Sequence, residues 1–262
     1  MEHGTVATSE ARTAALNLAH TYLELGRATG GAEVWQEVGF QACKGPMEHP
    51  ICNFAVDLKV DPGVAARLRE IALERRCFSV YGIFPDSDEE EHVLESHGFA
   101  LSHKLQLMVC DEAAAEATPI VEAVTPLEKR KLATFMVDQF FHRQPTGFRR
   151  KITEATASSE SLRLFRADWS GKTAGAVMVS EHAGVLGIYN LCVAPQFRSR
   201  GWGSAIVRSV IEIARAKGCG VTLQCAPVLA SWYGSLGFKE VGSVSVFGLF
   251  RFKEIDIMGL RS

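Results

Sequence analysis

Val193-Ala194-Pro195-Gln196-Phe197-Arg198-Ser199-Arg200-Gly201-Trp202-Gly203-Ser204 places a glycine-bearing loop between two regular elements. Upstream, residues 186–193 read as a buried strand that ends at Pro195. Downstream, Ile206, Val210, Ile213 and Ala214 share one face of a helix over 201–217. Arg208, Glu212 and Arg215 take the opposite face, and Gly218 closes the helix. The first N–H groups of a helix have no intrahelical partner and sit at the positive end of its dipole, so they attract phosphate oxygens. Gly201 and Gly203 let a phosphate approach the backbone, and Arg198 and Arg200 add cationic donors suited to a diphosphate. The stretch therefore reads as an anion-binding strand–loop–helix unit.

The neighbouring sequence supplies a mixed α/β frame. Thr125-Pro126-Leu127-Glu128 combines an N-cap, proline at the first helical position and glutamate at the third, and starts a helix that continues to about residue 142. Strands follow at 162–167, 174–180 and 186–193, with a Ser170-Gly171 turn between the first two. After the 201–217 helix come a strand at 221–225, a short helix at 229–236, and strands at 241–246 and 250–257.

Towards the beginning, Ala15, Leu18, Ala19, Tyr22 and Leu23 mark a helix over 9–27 with Ser9 as its expected N-cap. Strands are expected at 34–41, 51–59, 78–84 and 100–109, and helices at 63–76 and 86–97. Residues 111–118, small and acidic, read as a connector. This gives two units, 1–112 and 119–262. They echo each other: Ser96-His97-Gly98-Phe99 and Ser235-Leu236-Gly237-Phe238 each join a short helix to a strand, and Val60-Asp61-Pro62 matches Val193-Ala194-Pro195. The first unit has no counterpart of the Arg198-x-x-Gly201-x-Gly203 glycines after Pro62, so one half alone looks equipped for phosphate.

Composition narrows the function classes. A net charge of −2 over 262 residues gives no global reason to expect nucleic acid or an anionic membrane as partner. No stretch approaches the ~20 apolar residues of a membrane span, and residues 1–10 lack the basic-then-apolar pattern of a signal peptide. Seven scattered cysteines without a C-x-x-C pair argue against a disulfide framework and a metal site, and fit buried thiols in a reducing cytoplasm.

With Trp232-Tyr233-Gly234-Ser235-Leu236-Gly237-Phe238 downstream of Arg198-x-x-Gly201-x-Gly203, the second half resembles the GNAT superfamily of N-acetyltransferases. That family joins an Arg/Gln-x-x-Gly-x-Gly/Ala coenzyme loop to a later tyrosine and a Gly-Phe pair. The resemblance covers roughly 120–257, and the first half looks like a degenerate copy of the same fold. It implies acetyl-CoA as co-substrate, no metal, and direct transfer of the acetyl group to a small-molecule or peptide amine. Leu191, Cys192 and Val193 would pair through their backbone with the pantetheine arm. Arg198, Ser199, Arg200, Gly201, Trp202, Gly203 and Ser204 would bind the pyrophosphate, and Tyr233 would protonate the departing thiolate. A phenol of pKa ~10 can donate to a thiolate of pKa ~8.5 if well positioned. The asparagine that many members carry before the tyrosine is absent from Gln224-Cys225-Ala226-Pro227-Val228-Leu229-Ala230.

No general base emerges from the sequence. Alternation along 186–193 puts Gly187, Tyr189 and Leu191 on one strand face and Ile188, Asn190 and Cys192 on the other, with no carboxylate or imidazole on either. Glu181 and His182 lie nearby and read as exposed loop residues. His49, Asn53 and His142 read as structural, with an acceptor pocket as the alternative. A non-catalytic acyl-CoA-binding module and transfer of a longer acyl group both stay open. Two fused copies could cover each other's sheet edges within one chain, so a monomer is compatible with the sequence, which does not fix the oligomeric state.

Overall fold

The computed structural model describes residues 3–75, 77–83, 89–111 and 118–249. The helices are α1 (His3–Ala28), α2 (Pro62–Glu74), α3 (Glu89–Ser96), α4 (Pro126–Phe140), α5 (Thr146–Ser158), α6 (Trp202–Lys217) and α7 (Ala230–Gly234). The strands of the first half are β1 (Glu33–Glu37), β2 (Phe40–Lys44), β3 (Asn53–Val56), β4 (Ser79–Gly82) and β5 (Ala100–Cys110). Those of the second are β6 (Val121–Glu122), β7 (Leu162–Trp169), β8 (Lys172–His182), β9 (Val185–Val193), β10 (Gly220–Cys225) and β11 (Lys239–Gly248).

All eleven form one mixed sheet in the order β1-β2-β3-β4-β11-β5-β10-β9-β8-β7-β6. The two halves exchange strands to make it. β11 lies antiparallel between β4 and β5, while β5 continues antiparallel onto β10. Each half thus closes the sheet of the other, and the strand edges that separate domains would expose are paired. Helices α2, α3 and α6 cover one face, where Val64, Leu68 and Leu94 form one core and Ile206, Val210 and Ala214 another. The other face is covered by α1, α4 and α5.

Helix α1 ties the halves together. Its buried stripe, Ala14, Leu18, Ala19 and Leu23, packs on first-half strands and β11. Beside that stripe, fully buried Asn17 donates from Nδ2 to the carbonyls of Ser180 (3.1 Å), His182 (3.3 Å) and Val185 (3.3 Å) and accepts from the Tyr189 hydroxyl (2.8 Å). Ser9 lies inside this helix, which begins at His3, so it does not cap it.

The internal duplication has a structural counterpart. Gly98 and Gly237 both take left-handed backbone, φ 88° and 92°. Phe99 N–H donates to Leu94 O and Phe238 N–H to Tyr233 O, the same five-residue closure in each half. Leu94 therefore occupies in the first half the place of Tyr233 in the second.

Elsewhere the structure corrects expectation. Residues 34–41 are not one strand; the chain reverses at Val38-Gly39 to make the β1–β2 hairpin. Gly39 holds φ 87° there, and a Cβ on it would stand 2.6 Å from Val64 Cγ2. Helix α5 lacked a sequence forecast because its start, Pro145 then Thr146-Gly147, has no side-chain cap. The capping box at Thr125 and Glu128 forms in both directions. The strand expected at 250–257 and most of the 111–118 connector lie outside the described residues.

Candidate active site

The loop after β9 reaches α6 through two left-handed residues, Ser199 (φ 57°) and Gly201 (φ 81°). Gly201 is the N-cap of α6, and no side chain caps that helix, so its first N–H groups face outward as donors. The matching helix of the first half differs: Asp61 Oδ1 accepts from Val64 N–H at 2.8 Å, which occupies the helix start with a carboxylate. An anion is favoured at α6 and repelled at α2.

Other loop residues serve as braces. Arg198 donates from Nε to the Val193 carbonyl (3.1 Å), folding the loop back on its strand. Trp202 stands between Phe197 and Trp169 at centroid distances of 6.4 and 5.8 Å. Trp232 Nε1 donates to Ser204 Oγ (3.2 Å), joining the first turn of α6 to the helix that carries Tyr233. Gly203 lies in that first turn without a positive φ, so its backbone does not require glycine. Arg200 is exposed.

The strand before the loop is irregular where it matters. Met178 pairs with Tyr189 and Ala176 with Cys192, so Val177 alone opposes Asn190 and Leu191. This is a β-bulge, and Asn190 carries it at φ 48°. The bulge inverts the expected alternation. Leu191 packs with Ile188 in the α6 core, while Cys192 joins Tyr189 on the α4 side. Parallel pairing of β9 with β10 ends at Ile188 and Leu223. Beyond it the pairing stops and leaves the β9 backbone after Ile188 unpaired towards β10, except for the Val193 carbonyl that Arg198 takes, an edge that an extended chain can join as an added strand. Together with the uncapped helix start, this edge offers backbone hydrogen-bonding groups to an extended ligand that carries an anionic end.

Beside this edge is a cavity of about 260 Å³ lined from both halves. Asn190, Leu191, Gln224, Cys225 and Tyr233 come from the second half; Tyr22, His49, Tyr81 and His103 come from the first. Tyr233 is buried, with Trp232 and Phe238 edge-on to its ring. Burial, and secondarily Cys225, pushes its pKa up, so the phenol keeps its proton. Burial likewise pushes the Cys192 thiol up to about 12 and Cys225 to about 11, which removes both as nucleophiles.

Glu181 pairs with Lys217 and His182 stacks on His20, both away from the cavity. His142 does not line it, whereas His49 does. Asn53 supports that region, donating to the carbonyls of Met47 (2.6 Å) and His49 (3.1 Å). His103 is the residue that sequence reading missed. It lies on β5, which crosses from the first half into the cavity wall, and no local pattern signals that placement.

The profile of the Acetyltransferase (GNAT) family matches residues 130–238, from α4 through Phe238. Residues 130–238 form a GNAT domain. The GNAT fold extends over the first half too. A GCN5-related N-acetyltransferase from Kribbella flavida superposes with a TM-score of 0.64 at 15% identity, covering 91% of this chain and 94% of that one. A tandem GNAT protein from the clavulanic acid biosynthesis pathway gives 0.57 at 16% identity, covering 79% and 77%. In sequence, glucosamine 6-phosphate N-acetyltransferase 1 of Oryza sativa subsp. japonica is 37% identical over 73 residues, 26% of this chain and 44% of that protein. The chain spans less than half the length of the curated relatives it matches. Among the described residues no helix is long and apolar enough to cross a membrane, and no cluster of His, Cys, Asp or Glu could hold a metal ion.

Proposed function

We propose that this protein is an acetyl-CoA-dependent N-acetyltransferase that moves the acetyl group to an amine in one direct step. The observation that carries the reading is the coincidence of three features at one place: the open edge of β9, the uncapped start of α6, and Tyr233 beside the cavity into which both lead. The coenzyme supplies an activated thioester. The chain supplies everything that positions it. Backbone groups of Leu191, Cys192 and Val193 hold the pantetheine arm. The N–H groups of Ser199 to Ser204 hold the diphosphate, while the Arg198 N–H closes the turn on Pro195 and the Arg198 brace fixes the loop's direction. The division into units 1–112 and 119–262 separates these roles, the second unit holding the coenzyme and the first walling the acceptor cavity.

Transfer forms a C–N bond, breaks the C–S bond, takes a proton from the amine and gives one to the sulfur. In this reading Tyr233, buried in the cavity lining, gives that proton. The burial that raises its pKa also raises that of any thiolate beside it, so the pair stays matched. His103, which lines the same cavity, takes the other in this reading. Burial lowers its pKa below the ordinary histidine value, so the imidazole is neutral near pH 7. The buried, non-nucleophilic cysteines favour direct transfer over an acyl-enzyme.

Calorimetry of the full chain with acetyl-CoA, and thiol release in the presence of amines, test this reading. Tyr233→Phe should lower kcat about 10- to 100-fold while acetyl-CoA affinity stays within about threefold. Absence of acetyl-CoA binding at millimolar coenzyme sinks it; binding without turnover on any amine leaves a non-catalytic acyl-CoA-binding module.

A further inference from the structure

The cavity bears on a question the family leaves open, the chemistry of the acceptor. Its first-half wall is apolar or aromatic: Tyr22, Leu25, Ile51, Tyr81 and Leu105, facing Phe140 and Phe141. Among the described residues lining it there is no lysine, arginine, aspartate or glutamate. The imidazoles of His49 and His103 are its titratable nitrogens, and burial holds both towards the neutral form, His49 down at about 4. An anion placed there would be desolvated with no counter-charge, a costly arrangement.

One polar group in this wall lacks a partner. His49 is 3% exposed and caps the short turn at Pro50–Cys52, where its Nδ1 accepts from Ile51 N–H (3.2 Å). Because Nδ1 is an acceptor, the neutral ring carries its proton on Nε2. That Nε2 is buried without a hydrogen-bond partner. The ring is held between Phe141, edge-on at 5.8 Å, and Phe148 at 4.9 Å. A buried, unsatisfied donor in the lining becomes a recognition element once a small ring shift turns it onto an incoming acceptor atom; Gln224 Nε2, on the second-half side, is likewise unpartnered.

Resting on the N-acetyltransferase reading, we infer that the acceptor is a compact amine with an aryl or branched alkyl body and one neutral oxygen, which receives a hydrogen bond from His49 Nε2–H. Phosphorylated and carboxylated amines are rejected. The volume agrees with this. A cavity of about 150 Å³ accepts benzene, so about 260 Å³ has room for one ring, a short amine arm and the reacting thioester. The first half of the chain is in this respect the specificity element, although its own helix start is closed to phosphate.

The test uses the full chain with acetyl-CoA and five amines: 2-, 3- and 4-methoxyphenethylamine, oxygen-free phenethylamine, and phenylalanine, with glucosamine 6-phosphate as the phosphorylated control. Thiol release gives kcat/KM, and calorimetry on coenzyme A-saturated protein gives affinity without turnover. The best methoxy amine should exceed phenylalanine and glucosamine 6-phosphate by about 100-fold or more in both readouts. Its preference over phenethylamine should fall at least about tenfold in His49→Asn, which can still cap Ile51 but cannot reach the cavity with a donor. Phenylalanine or glucosamine 6-phosphate, the amines that carry an anionic group, coming within tenfold of the best methoxy amine overturns the inference. So does a preference unchanged within twofold in a folded His49→Asn variant, or coenzyme binding with no methoxy amine bound or turned over. Should that variant not fold, the ranking on the native chain decides. Loss of acetyl-CoA binding itself would instead fell the underlying reading.

Discussion

Replacing Asn17 with alanine should cost the protein about 3–5 kcal/mol, more than any surface feature of α1 would suggest. The side chain is fully buried and satisfies groups on two strands: its amide serves the carbonyls of Ser180, His182 and Val185, and its oxygen accepts from Tyr189. Truncation removes the amide's two N–H donors, each worth about 1 kcal/mol net, and the Tyr189 contact. It also takes from the buried Tyr189 O–H the acceptor it donates to, at a further cost of about 1–3 kcal/mol. Urea unfolding followed by circular dichroism reads this directly, and the melting temperature should drop by roughly 10 °C. Tyr189→Phe alone should cost about 1–2 kcal/mol, and the double variant less than the two singles together, by about 1–2 kcal/mol. A loss below about 1 kcal/mol for Asn17→Ala, or strict additivity, would refute the claim that this side chain clamps α1 to the second half. Gly187 gives an independent check. A Cβ there would stand 2.0 Å from Asn17 Oδ1, so Gly187→Ala should destabilise by a similar amount.

Three further outcomes follow from the site. Gly201→Ala has open space around its new methyl but must hold φ 81°, so it should cost about 1–2 kcal/mol and weaken acetyl-CoA binding in calorimetry. Asp61→Ala removes the α2 cap and should cost about 1 kcal/mol in urea while leaving acetyl-CoA affinity as it was. His103→Gln should lower kcat about 100-fold. Because burial depresses the His103 pKa, the base is protonated and activity lost only as pH falls below about 6.5, and that acid limb of kcat should vanish in the variant.

The parts of the molecule written in local pattern were legible. Residues 201–217 show the 3.6-residue apolar period and the closing glycine, and α6 ends at Lys217 with Gly218 left-handed at φ 70°. Thr125 and Glu128 carry both halves of a capping box. The face assignment of Leu191 and Cys192 failed because a single inserted residue at Asn190 shifts every side chain beyond it, and a bulge has no compulsory residue type. Residues 34–41 misled because Val34, Trp35 and Phe40 suit a strand, and the turn rests on Gly39 alone. His103 could not be read as a cavity residue, and His49 only as an alternative to a structural role, because they arrive from strands and turns far from Tyr233 in sequence. Only the exchange of strands between halves brings them there, and antiparallel register leaves no mark on composition.

That exchange also imposes an order of events during synthesis. β4 and β5 leave the ribosome early, yet the strand that belongs between them, β11, is made roughly 140 residues later. At 5–20 residues per second the interval is about 7–30 seconds. Throughout it, the nascent first half holds two unzipped β edges with Val80, Leu105 and Leu107 beside them. The first half is thus a latch that cannot be fastened until residues 239–248 are written, and slowing translation between Cys110 and Lys239 should lower the yield of folded protein without altering one native contact.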